Sequence, residues 1–433
     1  MEGPAHRSAG FTEPIPHSAP GGVIRARGYR AAVLALSLFA LGTAVAQAQN
    51  GRDSAIGHAR LLARSNRMDQ ARDVYTAWLA EHPDDAEAWY ELGREELKAG
   101  RPAAGARALE RSLTLEPNDA VAARLALARA QAAPALEPVV GGSRDSDGHV
   151  LSRMGLRADV APADGARVGI VAERATLADG LDTGRDAAIS TYGRWRPRAA
   201  LTLEWSGGVR HVESSARALA TATLPAADLR LRFRAPGNGP RVDLRGRHEP
   251  LAASPILIAN RVTRSEVSGK VEVPAGPVWL RAMGRVGALD AVLETNRRSL
   301  LGGGVAVPVS EAVEVSGQVT QLTYAEPSSS GYFAPRRAQI AEAGSYAEVY
   351  PSPDLMVALD VGLGVQRVAP HGAPVGSWRG AFRLWGFSTL RLQPGRDLVL
   401  EVEAYDAPLA TAAAVTSASW RWGSASVSLR WAL

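Results

Sequence analysis

The 433-residue sequence is 46% hydrophobic and only 6% aromatic, and a chain of this length is expected to divide into at least two units rather than fold around one core. Its formal net charge of +5 comes almost wholly from arginine, since Lys98 and Lys270 are the only lysines. The 44 acidic residues are spread among the basic ones with no isolated basic block, which argues against nucleic-acid binding. The absence of cysteine excludes a disulfide framework, a thiolate metal site and an acylated-cysteine N-terminus.

Arg25, Arg27 and Arg30 precede an apolar run, residues 31–46, that ends in the small-x-small patterns Ala44-Val45-Ala46 and Ala46-Gln47-Ala48. A charged start, a short apolar stretch and a small-residue exit predict a secretory signal over 1–48. The run is shorter than the ~20 apolar residues a membrane-spanning helix needs.

Helical periodicity follows over 52–132, and the sequence repeats itself. Ala71, Tyr75 and Pro83 recur as Gly105, Leu109 and Pro117, each displaced by 34 residues. Trp89, Leu92 and Gly93 form a W-x-x-L-G segment in the second repeat. Small residues at 93 and 105 allow two antiparallel helices to approach closely, the large side chains fill the space between them, and the prolines end the second helix of each pair. This stretch resembles the tetratricopeptide (TPR) repeat family, with Glu96 at a position where an aromatic is usual. The resemblance implies a docking surface for a protein partner, with a plain structural spacer as the other reading.

Residues 133–148 (APALEPVVGGSRDSDG) lose the helical pattern and gain proline, glycine and serine, so a linker is expected there. From 149 to 433 the period is 2. Leu355, Val357, Leu359, Val361, Leu363 and Val365 alternate with Met356, Ala358, Asp360, Gly362, Gly364 and Gln366, a pattern no helix face produces. Leu398, Leu400 and Val402 alternate likewise, as do Leu229, Leu231 and Phe233, and Ala425, Val427, Leu429, Trp431 and Leu433. Strands of about ten residues, apolar on one face and charged or small on the other, predict an antiparallel outer-membrane β-barrel facing hydrocarbon outside and water inside. Short turns (274–277, 351–354, 394–396) alternate with longer connections (287–297, 324–337, 368–377), as periplasmic and extracellular ends do. At about 18 residues per strand and connection the count is near 16, with 14 open, because 212–260 parses in two ways. The whole is thus read as an α-helical repeat domain followed by a transmembrane β-barrel in the Gram-negative outer membrane, with the repeats in the periplasm.

No G-x-S-x-G, H-E-x-x-H, P-loop or dinucleotide fingerprint occurs, so no catalytic residue, metal site or cofactor is assigned and the chain is not expected to be an enzyme. His211 and His248 are the candidates that a hydrolase would use, and a Ser–His pair on the wall would be its sign. Arg230, Arg232 and Arg234 lie opposite the apolar face of their strand, and Arg245 and Arg247 follow with Arg241 and Asp243. If inward-facing, they form either a positive lumen wall suited to carboxylate or phosphate on a polymer, or a wall paired to carboxylates such as Glu266, Glu272, Asp360, Glu401 and Glu403.

Gly331-Tyr332-Phe333-Ala334-Pro335, in a long connection, resembles the G-Y-F-S-P loop of outer-membrane exopolysaccharide export proteins, a group that includes the barrel of the cellulose synthase C type. The layout is also similar to the YaiO-type outer-membrane barrel family. The resemblance implies a passage for secreted polysaccharide, in contact with outer-membrane lipid and with a periplasmic protein docked on the repeats. The alternative is a non-transporting surface scaffold whose lumen is plugged, with residues 324–337 as the candidate plug.

Overall fold

The computed structural model describes residues 52–65, 67–217, 220–406 and 420–433, so the expected signal over 1–48 lies outside the described residues. The chain divides into two compact units between Ala128 and Arg129. Among the described residues no helix is long and apolar enough to cross a membrane.

The first unit is a stack of helices: α1 (52–64), α2 (Met68–Glu81), α3 (Ala86–Lys98), α4 (Pro102–Leu115) and α5, which begins at Asp119 and runs to Ala132. Ala71, Tyr75 and Leu79 of α2 are buried with Ala88 and Leu92 of α3, and Trp89 covers the edge of that cluster. Leu109 of α4 packs on Val121, Leu125 and Ala128. Where α3 meets α4, a Cβ on Gly93 would lie 2.7 Å from Leu109 Cγ, and one on Gly105 would lie 3.0 Å from the Gly93 carbonyl oxygen. The two backbones therefore touch at a point where only glycine fits. Pro83 and Pro117 each fall two residues beyond a helix, and the Trp89 indole donates to the Pro83 carbonyl at 3.0 Å. Glu96, in the position where the repeat family favours an aromatic, is buried and paired with Arg101, which also reaches Asp69 at 3.0 Å.

The entry to α3 is fixed electrostatically. The Asp85 carboxylate caps the helix by accepting from Ala88 N (3.0 Å), and also accepts from Trp78 Nε1 (3.0 Å) and Arg52 Nε (2.7 Å). Burial opposes ionisation here, but these donors prevail and hold the Asp85 pKa at about 2.

The second unit is a closed barrel of sixteen antiparallel strands, each paired to its sequence neighbours, with the first closing on the last. In order they are β1 (Ala135–Asp145), β2 (Val150–Ala163), β3 (Ala166–Ala178), β4 (Thr183–Arg198), β5 (Leu201–Ser214), β6 (Ala220–Arg234), β7 (Arg241–Pro250) and β8 (Thr263–Ala275). They continue with β9 (Val278–Asp290), β10 (Thr295–Pro308), β11 (Val313–Tyr324), β12 (Arg337–Ser352), β13 (Leu355–Ala369), β14 (Arg379–Gln393), β15 (Arg396–Tyr405) and β16 (Trp422–Ala432). The alternation sorts cleanly. Val140, Ile170, Leu229, Leu301 and Leu363 are exposed on the outer face, while Met356, Ala358, Glu266 and Arg298 are buried on the inner one. A closed sheet with every interior ladder paired and an apolar outside is the form a β-structure takes across a membrane.

The expected linker over 133–148 is instead strand β1 and its following turn, so the barrel begins at Ala135 rather than 149. Its composition misleads because β1 tolerates what isolated strands do not. Pro138 has no N–H, and pairing with β16 lapses at residues 137–138 and resumes in the same register at Val139. Gly141 lies so close to β16 that a Cβ there would meet Ala425 O at 2.8 Å. The ambiguous stretch 212–260 resolves as the end of β5, then β6, β7 and a short helix.

Connections of two residues (164–165, 199–200, 276–277, 353–354, 394–395) all lie at one end, while 251–262, 325–336, 370–378 and the β15–β16 connection lie at the other. We expect Asp85→Ala to cost the helical unit about 1–2 kcal/mol through loss of the cap. The Asp85 pKa is depressed from its ordinary 3.8 to about 2, so its contribution is complete above pH 3.8 and disappears as pH falls towards 2. Thermal melts of helical circular dichroism across that window should show the acid loss in the wild type and a flatter dependence in Asp85→Ala.

Candidate functional site in the barrel lumen

Between β7 and β8 the chain reads Ser254-Pro255-Ile256-Leu257-Ile258-Ala259, an apolar run without alternation, and it forms a one-turn helix, α6 (Pro255–Ala259), started by proline at its first position. Leu257 and Ile258 point to different walls. Ile258 packs on Leu177 of β3, Val212 of β5, and Ala222 and Leu224 of β6. Leu257 belongs to a cluster with Leu289 of β9, Leu322 and Tyr324 of β11, Ala338 and Ile340 of β12, Val368 of β13, and Tyr332 from the 325–336 connection. β5 and β13 are eight strands apart in a ring of sixteen, so these contacts sit on opposite sides of the lumen.

Phe333 extends the layer. It packs on the same cluster and also against Tyr405 and Trp420, beside Trp422 at the β15–β16 edge. The Trp420 indole is fully buried and donates to Asp145 at the end of β1 at 3.1 Å. Among the described residues, an apolar septum made by α6 and the Gly331-Tyr332-Phe333 segment thus crosses the mouth at the long-connection end.

Polar contacts fix it in place. Ser214 Oγ donates to the Pro255 carbonyl at 2.7 Å, and Asn260 Nδ2 to the Ser330 carbonyl at 2.9 Å. Gly331 has φ +89°, and a Cβ there would lie 2.7 Å from Ile256 Cγ2, so the connection lies directly on α6. Pro335 offers its carbonyl to Tyr324 N at 3.2 Å. Glu294, in the β9–β10 turn, accepts from Ser328 Oγ (2.5 Å) and from Ser329 N and Oγ (both 3.0 Å). Burial opposes its ionisation, but these donors hold its pKa at about 2; burial also pushes the Tyr332 phenol up.

Beyond the septum the inner wall is charged, and the arginines singled out in the sequence are partnered there. Arg230 Nε pairs with Asp243 at 2.9 Å and Arg232 with Glu204. Arg245 Nε meets both Asp228 oxygens at 2.9 Å, and Arg247 spans Asp228 (3.1 Å) and Glu249 (3.3 Å). Arg234 lies at the short-turn end, opposite Arg241, which stacks 4.2 Å over the Trp279 ring. Of the carboxylates expected as partners, Glu272 meets Arg241 (3.7 Å) as well as Arg281 (2.7 Å), while Glu266 pairs with Arg298, Asp360 with Arg383 (2.8 Å) and Glu401 with the Trp385 indole (2.9 Å). The wall is therefore ion-paired across neighbouring strands rather than an array of free cations.

The histidines sit on the outer face instead. His248 Nδ1 lies 2.9 Å from Ser265 Oγ, and His211 contacts Thr223 Oγ1 at 3.0 Å and Glu213 at 3.4 Å. The His248–Ser265 pair is the kind of contact named above as a hydrolase's sign; both hydroxyl–histidine pairs are cross-strand neighbours, and His248 has no carboxylate orienting it among the described residues. Sequence reasoning missed α6, Glu294 and Trp420. The one available signal was the unalternating PILIA run between two alternating strands.

Residues 53–95 match the tetratricopeptide repeat family model. No protein of curated function matches the chain by sequence. Among solved structures, the chain is similar to a bacterial polysaccharide outer membrane secretin (TM-score 0.49, 12% identity, 70% of this chain and 99% of that one). It is also similar to CdiB from Acinetobacter baumannii (0.40, 11%, 69% and 60%) and to the CymD monoaromatic hydrocarbon channel (0.40, 9%, 71% and 91%). These likenesses are distant.

Gly331→Val should strain the septum by about 1–3 kcal/mol, because a β-branched residue is forced to positive φ against Ile256. Because the Glu294 pKa is depressed from its ordinary 4.5 to about 2, the Ser328–Ser329 latch is complete above pH 4.5 and is lost as pH falls towards 2. Pepsin cleavage beside Phe333 should accelerate across that window in the wild type, and should already be fast at pH 4.5 in Gly331→Val and Glu294→Gln.

Proposed function

We propose that this protein is a gated outer-membrane passage for a hydrophilic cargo, closed at its long-connection mouth by its own septum. The observation that carries the reading is the division of labour along the lumen. Sixteen strands enclose a space wider than wall side chains fill, and such barrels hold an aqueous channel. The wall is charged and ion-paired, and two connections that pack through apolar side chains close the mouth. A septum of this kind is displaced by moving loops, without breaking the sheet.

The cargo we favour is a secreted polysaccharide, on the resemblance of Gly331–Pro335 to the export-protein loop and on the layout of helical repeat followed by barrel. In this reading the long connections face outside, as in outer-membrane barrels generally, and the repeat lies in the periplasm, where it docks a protein partner. Ion-paired guanidinium and carboxylate groups on the wall offer donors and acceptors to sugar hydroxyls while presenting no single-sign trap.

A permanently plugged scaffold is the second reading, favoured by the Glu294 and Asn260 anchors that tie the septum to the wall. Single-channel recording of the refolded chain in planar bilayers separates the two. The wild type should be mostly closed, and replacing 252–261 by a short turn should open a conductance that added oligosaccharides block. A folded barrel that stays silent after that replacement would sink the passage.

A further inference from the structure

The outer surface carries a feature that neither passage nor scaffold requires. On β13 the outward residues run from Leu355 to Val365 without a polar side chain, and Arg367 follows. Ten residue steps at about 3.3 Å, tilted about 40° to the barrel axis, span about 25 Å, the height of the hydrocarbon band. Arg367 therefore stands just past the hydrocarbon edge at the long-connection end, in the lipid headgroup layer.

It is built in rather than loose. Arg367 Nε donates to Gln339 Oε1 at 2.7 Å, Gln339 Nε2 donates to Gln321 Oε1 at 2.8 Å, and the guanidinium lies 4.6 Å from the Trp378 ring centre. The three residues are direct cross-strand partners on β11, β12 and β13. Arg337 lies on the same face one step nearer the mouth, opposite Ala369. On β10, Arg297 is exposed beside Ser299, whose hydroxyl meets Thr323 at 2.7 Å. The outward positions of β10–β13 carry these three arginines and no carboxylate; Asp290, on β9, is bound by Thr295 at 2.8 Å, and Glu326 is exposed in the connection that begins beside Arg297. Below them the same strands present Leu301, Val319 and Leu363 to hydrocarbon.

We propose that this patch binds the phosphorylated headgroup of an outer-membrane lipid. Planar guanidinium forks take phosphate oxygens in paired hydrogen bonds, and a headgroup bound here keeps its acyl chains on the apolar rows directly below. Stacking and the glutamine chain hold Arg367 with its terminal nitrogens free of partners among the described residues, so little ordering remains to be done on binding. The inference rests on the reading that the long connections face outside and is independent of whether the lumen conducts.

The test uses the full chain refolded in detergent micelles, with native mass spectrometry after addition of bis-phosphorylated lipid A, the same lipid stripped of phosphate, or inorganic phosphate. The wild type should retain the phosphorylated lipid in preference to the stripped one. Arg297→Gln/Arg337→Gln/Arg367→Gln should bind at least about tenfold more weakly, while Arg185→Gln, elsewhere on the outer face, should not. Arg337→Gln alone touches no partner that folding needs and should still weaken binding severalfold if the triple variant does not refold. Equal retention of the stripped lipid, unchanged binding in the arginine variants, or displacement by inorganic phosphate at matching concentration would each overturn the proposal.

Discussion

The barrel depends on its closure. Because β1 pairs with β16, no strand carries an unpaired row of N–H and C=O groups, and the outer face can be apolar over its whole height without an edge. The seam is reinforced at the end away from its weak point. Pro138 interrupts the ladder, but at the far end of the same strand Asp145 accepts from Asp147 N, His149 N and the buried Trp420 indole, pinning the first turn to the β15–β16 connection. With the outside committed to lipid, every charge on the strands has to face the lumen or lie at a rim.

That sorting explains the contrast between the inner wall and the septum. Inward charges are neutralised across neighbouring strands, as with Arg230 and Asp243, because a cation left unpaired near apolar walls costs several kcal/mol in lost hydration. The septum works in the opposite way: Leu257, Ile258, Tyr332 and Phe333 exclude water, and only a few hydrogen bonds set their position. A layer of this sort has a modest energetic hold on the wall compared with the ladder itself, which is the property expected of a closure that opens. Both it and the outer arginine patch gather at one end, where the connections are long enough to fold back and the strands have passed the hydrocarbon edge.

Much of this architecture was legible in the chain. The 34-residue spacing placed Ala71 against Gly105 and Tyr75 against Leu109 as equivalent core positions, and the helices at 52–132 follow it. Alternation from Leu355 to Gln366 marked which side of β13 meets lipid before any partner strand was known. The strand at 135–145 escaped because proline, glycine and serine read as a break, whereas a strand paired on both sides keeps its form by its neighbours' hydrogen bonds. The arginine partners escaped for a related reason. Asp243 reaches Arg230 only because β6 and β7 pair in a register that puts Arg232 opposite Asp243, and a one-residue slip would send either side chain to the other face.

By itself, then, the sequence determined those features that come from local periodicity: helices where apolar residues recur every three or four positions, strands where they recur every two, and the face each side chain takes. These are set within a few residues, by backbone geometry and the cost of exposing apolar groups. What only the tertiary structure decided are features of closure and distance: the ring of sixteen, the pairing of each lumen charge, and the meeting of Leu257 with Tyr332 across the mouth. Residues 257 and 332 share no local pattern. They are brought together because the barrel places β7 and β11 around one lumen, and two apolar connections at the same mouth lower their exposure to water by packing on each other.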